Sequence, residues 1–433
     1  MNEHLLQFIW GQGLFDVHDL RTTAGETLQL LDRGRWNHDQ GPDFLSARIR
    51  IGGTTWAGQV ELHLRSSDWT AHRHEGDPHY RNVILHVVWD HDREVNGIPV
   101  LELKDRVRHM LLEKYRSWSK LGEALPCRGE WERLGLQPGK GWLVSLARQR
   151  LERKAMEWMG QLKACGNDWE ELCWRRMAQA FGGLHNGDVF SRMAAALGWR
   201  TVVKHRENII QLEALILGQA GCLRDPPPDK YAGLLLLEYR FLSAKYRLPP
   251  PAGPLVFFRL RPGSFPDLRL AQLSMFVHDN THLFGTLRDA EGPEEWVRGF
   301  RVTPNDYWHY HYRLGEESVF AEKPVGEDMA RGLVINMAVP ALYTAGRIGR
   351  EEHLMEKALQ WLDQLPAEDN RITRTFSGLN TGLVSALGSQ ALLELGKHHC
   401  PTRRCLDCQV GRFVLYRAGS EDPSKEDGQA TDR

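Results

Sequence analysis

In the N-terminal quarter of the chain the apolar positions recur at every second place. Leu45, Ala47, Ile49 and Ile51 alternate with Ser46, Arg48 and Arg50, and Gly52-Gly53 then marks a hairpin turn. Trp56, Gly58, Val60, Leu62 and Leu64 share one face of a second strand, which puts Gln59, Glu61 and His63 together on the other. Val83 to Trp89 is nearly all apolar and predicts a central strand covered on both sides. Thr27 to Leu31 and Val100 to Leu103 complete the predicted strands.

From Gly141 the period changes. Trp142 to Leu162 reads as a long helix, and Leu212, Leu215, Ile216 and Gln219 repeat at helical spacing before a stop at Gly221. Leu234 to Tyr246 and Leu270 to Phe284 follow the same pattern. Val384, Leu387, Ala391 and Leu395 form a last stripe closed by Gly396. The predicted fold class is α+β: an N-terminal mixed sheet domain, then a larger all-α domain with a cysteine cluster near its end. The expected division is 1–118 for the β-rich domain, 119–140 for a linker with Pro126, Gly129, Gly135 and Pro138, and 141–396 for the helical domain. The cysteine segment takes 397–417. A polar tail, 418–433, lacks any apolar period and is expected to be disordered.

Charge changes this picture little. Fifty-five Lys and Arg balance 56 Asp and Glu, for a formal net charge of -1, so any nucleic-acid contact must come from a local basic patch. Seven cysteines in 433 residues make a poor disulfide framework. Neither a signal peptide nor an apolar stretch of membrane-spanning length is visible, so the expectation is a cytoplasmic protein without a membrane partner.

Candidate chemistry concentrates in the sheet domain. Asp43 leads into one strand and Glu61 lies on the next; neighbouring strands run about 4.8 Å apart, so the two acids can converge at one end of the sheet. Paired carboxylates suit Mg²⁺ or Mn²⁺, and His63, one two-residue step beyond Glu61, can orient or deprotonate a water. A turn residue after Gly41-Pro42 is the plain alternative for Asp43. Glu102-Leu103-Lys104, preceded by Asp90 and Asp92, is a second, weaker arrangement expected at a sheet edge. His72, His74 and His79 form a further set able to take a borderline metal, against the simpler reading as surface loop residues, and His86 reads as a core histidine.

Pro42-Asp43 followed by Glu61-Leu62-His63 on a strand pair resembles the PD-(D/E)XK nuclease superfamily, with His63 where that superfamily usually has lysine. The resemblance implies a restriction-endonuclease-like sheet with Asp43 and Glu61 as ligands to Mg²⁺ or Mn²⁺. Nearly the whole chain also resembles an uncharacterised bacterial family known only as a domain of unknown function. That resemblance is carried by Gly41-Pro42-Asp43-Phe44, Gly58-Gln59-Val60-Glu61-Leu62-His63, Ser67-Asp68-Trp69, Glu213-Ala214-Leu215, Arg261-Pro262 with Phe265-Pro266, and the closing cysteines. It implies membership and no activity.

Cys400, Cys405 and Cys408 are spaced C-x₄-C-x₂-C. Thiolates so close together suit a structural Zn²⁺, with His398, His399 or Cys127 completing four ligands; an iron–sulfur cluster would also need a fourth. Arg259, Arg261 and Arg269 alternate with Phe257, Phe258 and Phe265 and offer phosphate contacts beside stacking rings. The expected function is a metal-dependent nuclease acting on DNA or RNA. Two rivals stand beside it: a non-catalytic scaffold for nucleic acid or protein, with a degenerate nuclease fold and a structural zinc, and a zinc hydrolase of a small substrate.

Overall fold

A computed structural model describes residues 1–37, 40–72, 77–119, 124–382 and 384–420. Contacts divide the chain into two compact units. The first comprises Met1–Pro138, Thr375–Thr381 and the segment from Leu395 onward; the second comprises Gly139–Arg374 and Gly382–Glu394. The cysteine segment therefore folds with the sheet unit. Among the described residues no helix is long and apolar enough to cross a membrane.

The first unit opens with helix α1 (Glu3–Gln12), whose N-terminus is capped by the Asn2 side chain accepting from the Leu5 N–H. Strands β1 (Leu28–Asp32), β2 (Arg35–Trp36), β3 (Phe44–Ile51) and β4 (Thr54–Arg65) follow. A short helix α2 (Asp68–Ala71) precedes β5 (Val83–Asp90) and β6 (Val100–Glu102). The sheet order is β1-β3-β4-β5-β6, with β2 also pairing with β3. The β1–β3 and β3–β4 pairs are antiparallel, and the β4–β5 and β5–β6 pairs are parallel. Val83 to Val88 is buried throughout, as the continuous apolar run requires of a central strand.

β4 departs from simple alternation. Val60 and Leu62 are buried on one face, and Glu61 and His63 are buried on the other. The strand also approaches β5 closely at Gly58, where a Cβ would stand 2.5 Å from the Asn82 carbonyl oxygen. Only glycine admits that approach.

Helices α3 (His109–Ser119) and α4 (Arg128–Arg133) follow the sheet, so part of the predicted linker is helical. The helix Gln409–Ser420 returns to the first unit. Its Arg412 guanidinium lies 5.9 Å from the centre of the Phe8 ring of α1, and Asp407 just before it reaches His4 at 3.6 Å. Residues 418–420, expected in the tail, belong to this helix; the rest of the predicted tail lies outside the described residues.

The second unit is mainly helical: α5 (Lys140–Ala164), α6 (Trp169–Leu197), α7 (Trp199–Lys204), α8 (Ile209–Ala220), α9 (Lys230–Tyr246), α10 (Pro266–Asp279), α11 (Leu283–Asp289) and further helices to Glu394, but it is not all-α, because His311–Arg313 and Glu316–Glu317 pair as a short antiparallel hairpin. α8 is buried from Leu212 to Ala220 and ends at Gly221 in the left-handed region, φ 91°. The single helix expected over 270–284 is two. The Glu170 carboxylate accepts the N–H groups of Leu283 and Phe284 and so caps a new helix there. The final stripe continues past Gly396 as a π-helical turn, Leu395–His399.

Candidate active site

The β3–β4 pair brings the two predicted acids together, and a bulge decides that it does. Pairing runs Ala47 to Gly58, Ile49 to Trp56 and Ile51 to Thr54, then shifts so that Phe44 faces Val60. The extra residue sits at Ser46, whose φ is 62°. Side chains alternate faces along a strand, so an unbroken register would aim Asp43 at the face of Leu62. The bulge changes the parity and turns Asp43 onto the face of Glu61. The Asp43 N–H donates to Glu61 Oε2 at 3.0 Å, and the Leu62 N–H donates to Asp43 Oδ2 at 2.9 Å.

α1 covers this end of the sheet. Gln7 Nε2 donates to Asp43 Oδ1 at 2.7 Å. Glu3 lies one helical turn earlier on the same face and adds a third negative group to the surroundings of the pair. Burial pushes the Asp43 carboxyl up to about 7; the Leu62 N–H opposes this, the Glu3 charge adds to it and Gln7 opposes it. Burial and then the Asp43 charge push Glu61 up to about 9, against the opposing Asp43 N–H. Burial followed by the Glu61 and Asp43 charges also raises the Tyr80 hydroxyl to about 12, and its ring meets Trp69 edge-on. Two carboxylates in this position resist joint ionisation unless a proton or a cation intervenes.

Three imidazoles run away from the pair. His63 is buried, with Nε2 at 3.6 Å from Glu61 Oε1. Its Nδ1 lies 2.9 Å from His86 Nε2, and its Nε2 lies 3.1 Å from His72 Nδ1. His86 shares the face because parallel pairing sets Glu61 against His86. His72 is exposed, so the chain His86–His63–His72 leads from the interior to the surface. Trp69, 2% exposed, meets His63 edge-on and holds its orientation.

The other predicted residues fall elsewhere. His79 Nδ1 pairs with Asp77 at 2.8 Å on an exposed turn, and His74 lies outside the described residues. The second acidic motif is on the edge strand β6, with Lys104 bonded to Asp90 at 2.5 Å. In the helical unit Arg259 and Arg261 are exposed, the Arg259 guanidinium lying over the Phe258 ring at 5.0 Å. Arg269 is half-buried and donates to Gln272 Oε1 at 2.9 Å; burial lowers it to about 10. Its fork is thus engaged within the protein, leaving Arg259 and Arg261 as the exposed cations of the predicted trio. Cys127, Cys400, Cys405 and Cys408 all belong to the first unit, far from Asp43 and Glu61 in sequence.

Sequence reading misses Glu3, Gln7, His86 and Tyr80. The four-residue spacing of Glu3 and Gln7 within an apolar helix capped by Asn2 is the signal that would have found the first two. Among the described residues no three His, Cys, Asp or Glu side chains already surround one point as metal ligands. Two carboxylates are still what Mg²⁺ commonly takes from a protein, the rest of its octahedron being water and substrate oxygens.

The chain matches the family described as a protein of unknown function, DUF2851, over residues 3–371, and it belongs to that family. The match takes in the whole carboxylate site and Cys127, and it ends before Cys400. No curated protein and no solved structure matches the chain.

Proposed function

Starting from a member of a family with no assigned activity, we propose that the first unit is a divalent-metal-dependent phosphodiesterase of nuclease type. One observation carries the reading: Asp43 and Glu61, from adjacent strands, are turned onto one face and both raised by burial, Glu61 also by the Asp43 charge. Asp43 and Glu61 hold Mg²⁺ or Mn²⁺ in this reading, and both must lose their protons to do so. The bound cation supplies charge stabilisation to a phosphodiester and an acidified water.

The surrounding residues have defined tasks. Gln7 and the Leu62 N–H fix the Asp43 oxygens, and the Asp43 N–H fixes Glu61. His63 takes a proton at Nε2, beside Glu61, and His72 returns it to solvent. Imidazole serves here where a lysine would act as a fixed charge, because it can both accept and release the proton near neutral pH.

The test is cleavage of end-labelled single- and double-stranded DNA and RNA by the full chain with Mg²⁺ or Mn²⁺, and with a chelator. Asp43→Ala and Glu61→Ala should each lower metal-dependent cleavage at least about a hundredfold, as loss of several kcal/mol of transition-state stabilisation implies. His63→Gln should lower it roughly tenfold to a hundredfold and remove the acidic limb of the pH–rate profile. Undiminished cleavage in Asp43→Ala and Glu61→Ala, or no cleavage of any of these substrates by the wild type with either metal, rejects the proposal.

A further inference from the structure

The second unit holds a cavity of about 540 Å³ walled by three segments: the loop after α8, the loop before α10, and the short hairpin of His311–Arg313 with Glu316–Glu317. That volume suits a small organic molecule. Pro228, Pro254, Leu255 and Phe257 supply an apolar wall. Bonds within the unit hold these segments in place. Gly315, at φ 74°, lies so close to Pro228 that a Cβ there would stand 2.4 Å from the proline Cβ. The Tyr307 hydroxyl accepts the Gly315 N–H at 3.0 Å and donates to Asp229 Oδ2 at 2.6 Å. The loop before α10 is tied to α8, because the Ala252 N–H donates to the Gln219 carbonyl at 2.8 Å and Gln219 Nε2 donates to the Pro249 carbonyl at 3.2 Å. A cavity with its walls already ordered lowers the cost of binding.

Four charged side chains line the cavity, two of each sign, and one pair is mutually satisfied. Arg313 Nη1 donates to Glu316 Oε1 at 2.9 Å, and the guanidinium lies over the Phe257 ring at 4.3 Å. The other two differ. Arg224 is exposed and makes no ion pair among the described residues. Asp267, 3% exposed, accepts the Leu314 N–H on Oδ2 at 3.1 Å, while its Oδ1 is buried with no donor among the described residues. A buried carboxylate oxygen without a donor is costly and uncommon. Asp267 stands in the first turn of α10, where the helix favours a negative charge, but that offsets only part of the cost. Burial raises its carboxyl, against the Leu314 N–H, the Cys222 thiol and the charges of Arg313 and Arg224.

We propose that this cavity binds a small zwitterion with an apolar body, a free amino acid or a short peptide, whose ammonium pairs with Asp267 and whose carboxylate pairs with Arg224. The lining prescribes both ends: one buried acceptor short of a donor, and one cation short of an anion. A simple anion such as phosphate meets Arg224 and leaves Oδ1 unserved; a simple cation does the reverse. An ammonium brings three N–H donors, and a guanidinium fork matches a carboxylate through two parallel bonds. The apolar body lies against the prolines, Leu255 and Phe257. Oδ1 becomes reachable when a lining side chain turns aside, and the half-buried Cys222 thiol is a small one placed to do so. The site lies wholly in the second unit and does not depend on the carboxylate pair of the first.

The test is isothermal titration calorimetry of the full chain with L-leucine, L-phenylalanine, leucyl-leucine and phenylalanyl-leucine, each also in N-acetylated and in C-terminally amidated form. At least one unblocked ligand should bind with a Kd of about 1 mM or tighter. N-acetylation, which removes the ammonium, should weaken that ligand at least about tenfold, and amidation at least about threefold. Asp267→Asn should reproduce the loss on acetylation. Arg224→Met, an exposed change that should leave thermal melting as in the wild type, should reproduce the loss on amidation and then be indifferent to amidation itself. Tighter binding of the dipeptides assigns a peptide as the source of the zwitterion, and tighter binding of the single amino acids assigns the free form. No binding of any of the four at about 10 mM, blocked forms that bind as well as unblocked ones, or an Arg224→Met protein that binds like the wild type overturns the proposal, even should Asp267→Asn fail to fold.

Discussion

Two buried carboxylate sites lie in the two units, and they are built on opposite principles. Glu213, on α8, is 0% exposed and surrounded by donors. Tyr231 Oη donates at 2.8 Å, Asn305 Nδ2 at 2.6 Å, and Trp308 Nε1 to both oxygens at 3.1 Å. Burial pushes its carboxyl up to about 7, and the Tyr231 and Trp308 hydrogen bonds draw it back. Asp43 accepts from the Leu62 N–H and Gln7, and Glu61 accepts from the Asp43 N–H, while the Asp43 charge raises Glu61 and the Glu3 charge raises both. A carboxylate with its lone pairs filled by donors knits a core. One aimed at another carboxylate has its charge opposed by that neighbour.

The contrast breaks most sharply at Glu213. Glu213→Ala leaves the Trp308 N–H, the Tyr231 hydroxyl and the Asn305 amide without their acceptor, and should cost about 3–5 kcal/mol in urea unfolding. A loss below about 1 kcal/mol would mean that the donors find other partners. Glu61→Gln should act in the opposite direction when metal is withheld. Both Asp43 and Glu61 hold protons more tightly folded than unfolded, so their contribution is complete below the ordinary carboxylate range. It is lost as pH climbs toward about 7 for Asp43 and about 9 for Glu61.

In chelator, the wild-type urea midpoint should therefore fall between pH 5 and pH 8, and Glu61→Gln should flatten that slope and gain roughly 1–3 kcal/mol at pH 8. Added Mg²⁺ should restore the wild type and leave the variant unmoved; a pH-independent wild-type midpoint would contradict the raised carboxyls. The smallest effect belongs to the bulge. Ser46→Gly relieves a left-handed serine and should stabilise by about 1 kcal/mol with the site intact, as read by thermal melting and by Mg²⁺ response. Deleting Ser46 should instead abolish the Mg²⁺ response, because Asp43 then shares the face of Leu62.

The strands were readable from alternation, and β5 from its unbroken apolar run, because both patterns report burial directly. The bulge was not: counted back from Ile51, strict alternation puts Asp43 on the wrong face, and nothing in Leu45-Ser46-Ala47 announces the extra residue. The convergence of Asp43 and Glu61 could be anticipated from strand adjacency, while its parity depended on one dihedral angle. His86 looked like a core histidine and is indeed buried, but register pairs it with Glu61 and so with His63. Glu213 was hidden inside an apolar helical stripe, its donors arriving from Tyr231, Asn305 and Trp308 on other segments. The break between α10 and α11 likewise depends on Glu170, remote in sequence. Apart from the bulge, what escaped local pattern was a partner supplied from elsewhere in the chain.

The first unit is also discontinuous: Thr375–Thr381 and the segment from Leu395 onward complete a body begun by Met1–Pro138, with Gly139–Arg374 and Gly382–Glu394 inserted between. During synthesis the sheet and α1 leave the ribosome well before Asp407 and Arg412, their contacts at His4 and Phe8, have been made. At usual elongation rates that interval is on the order of tens of seconds. The N-terminal body waits through it with its flank at His4 and Phe8 uncovered, so the helical insert sets a delay between making the sheet and covering that flank.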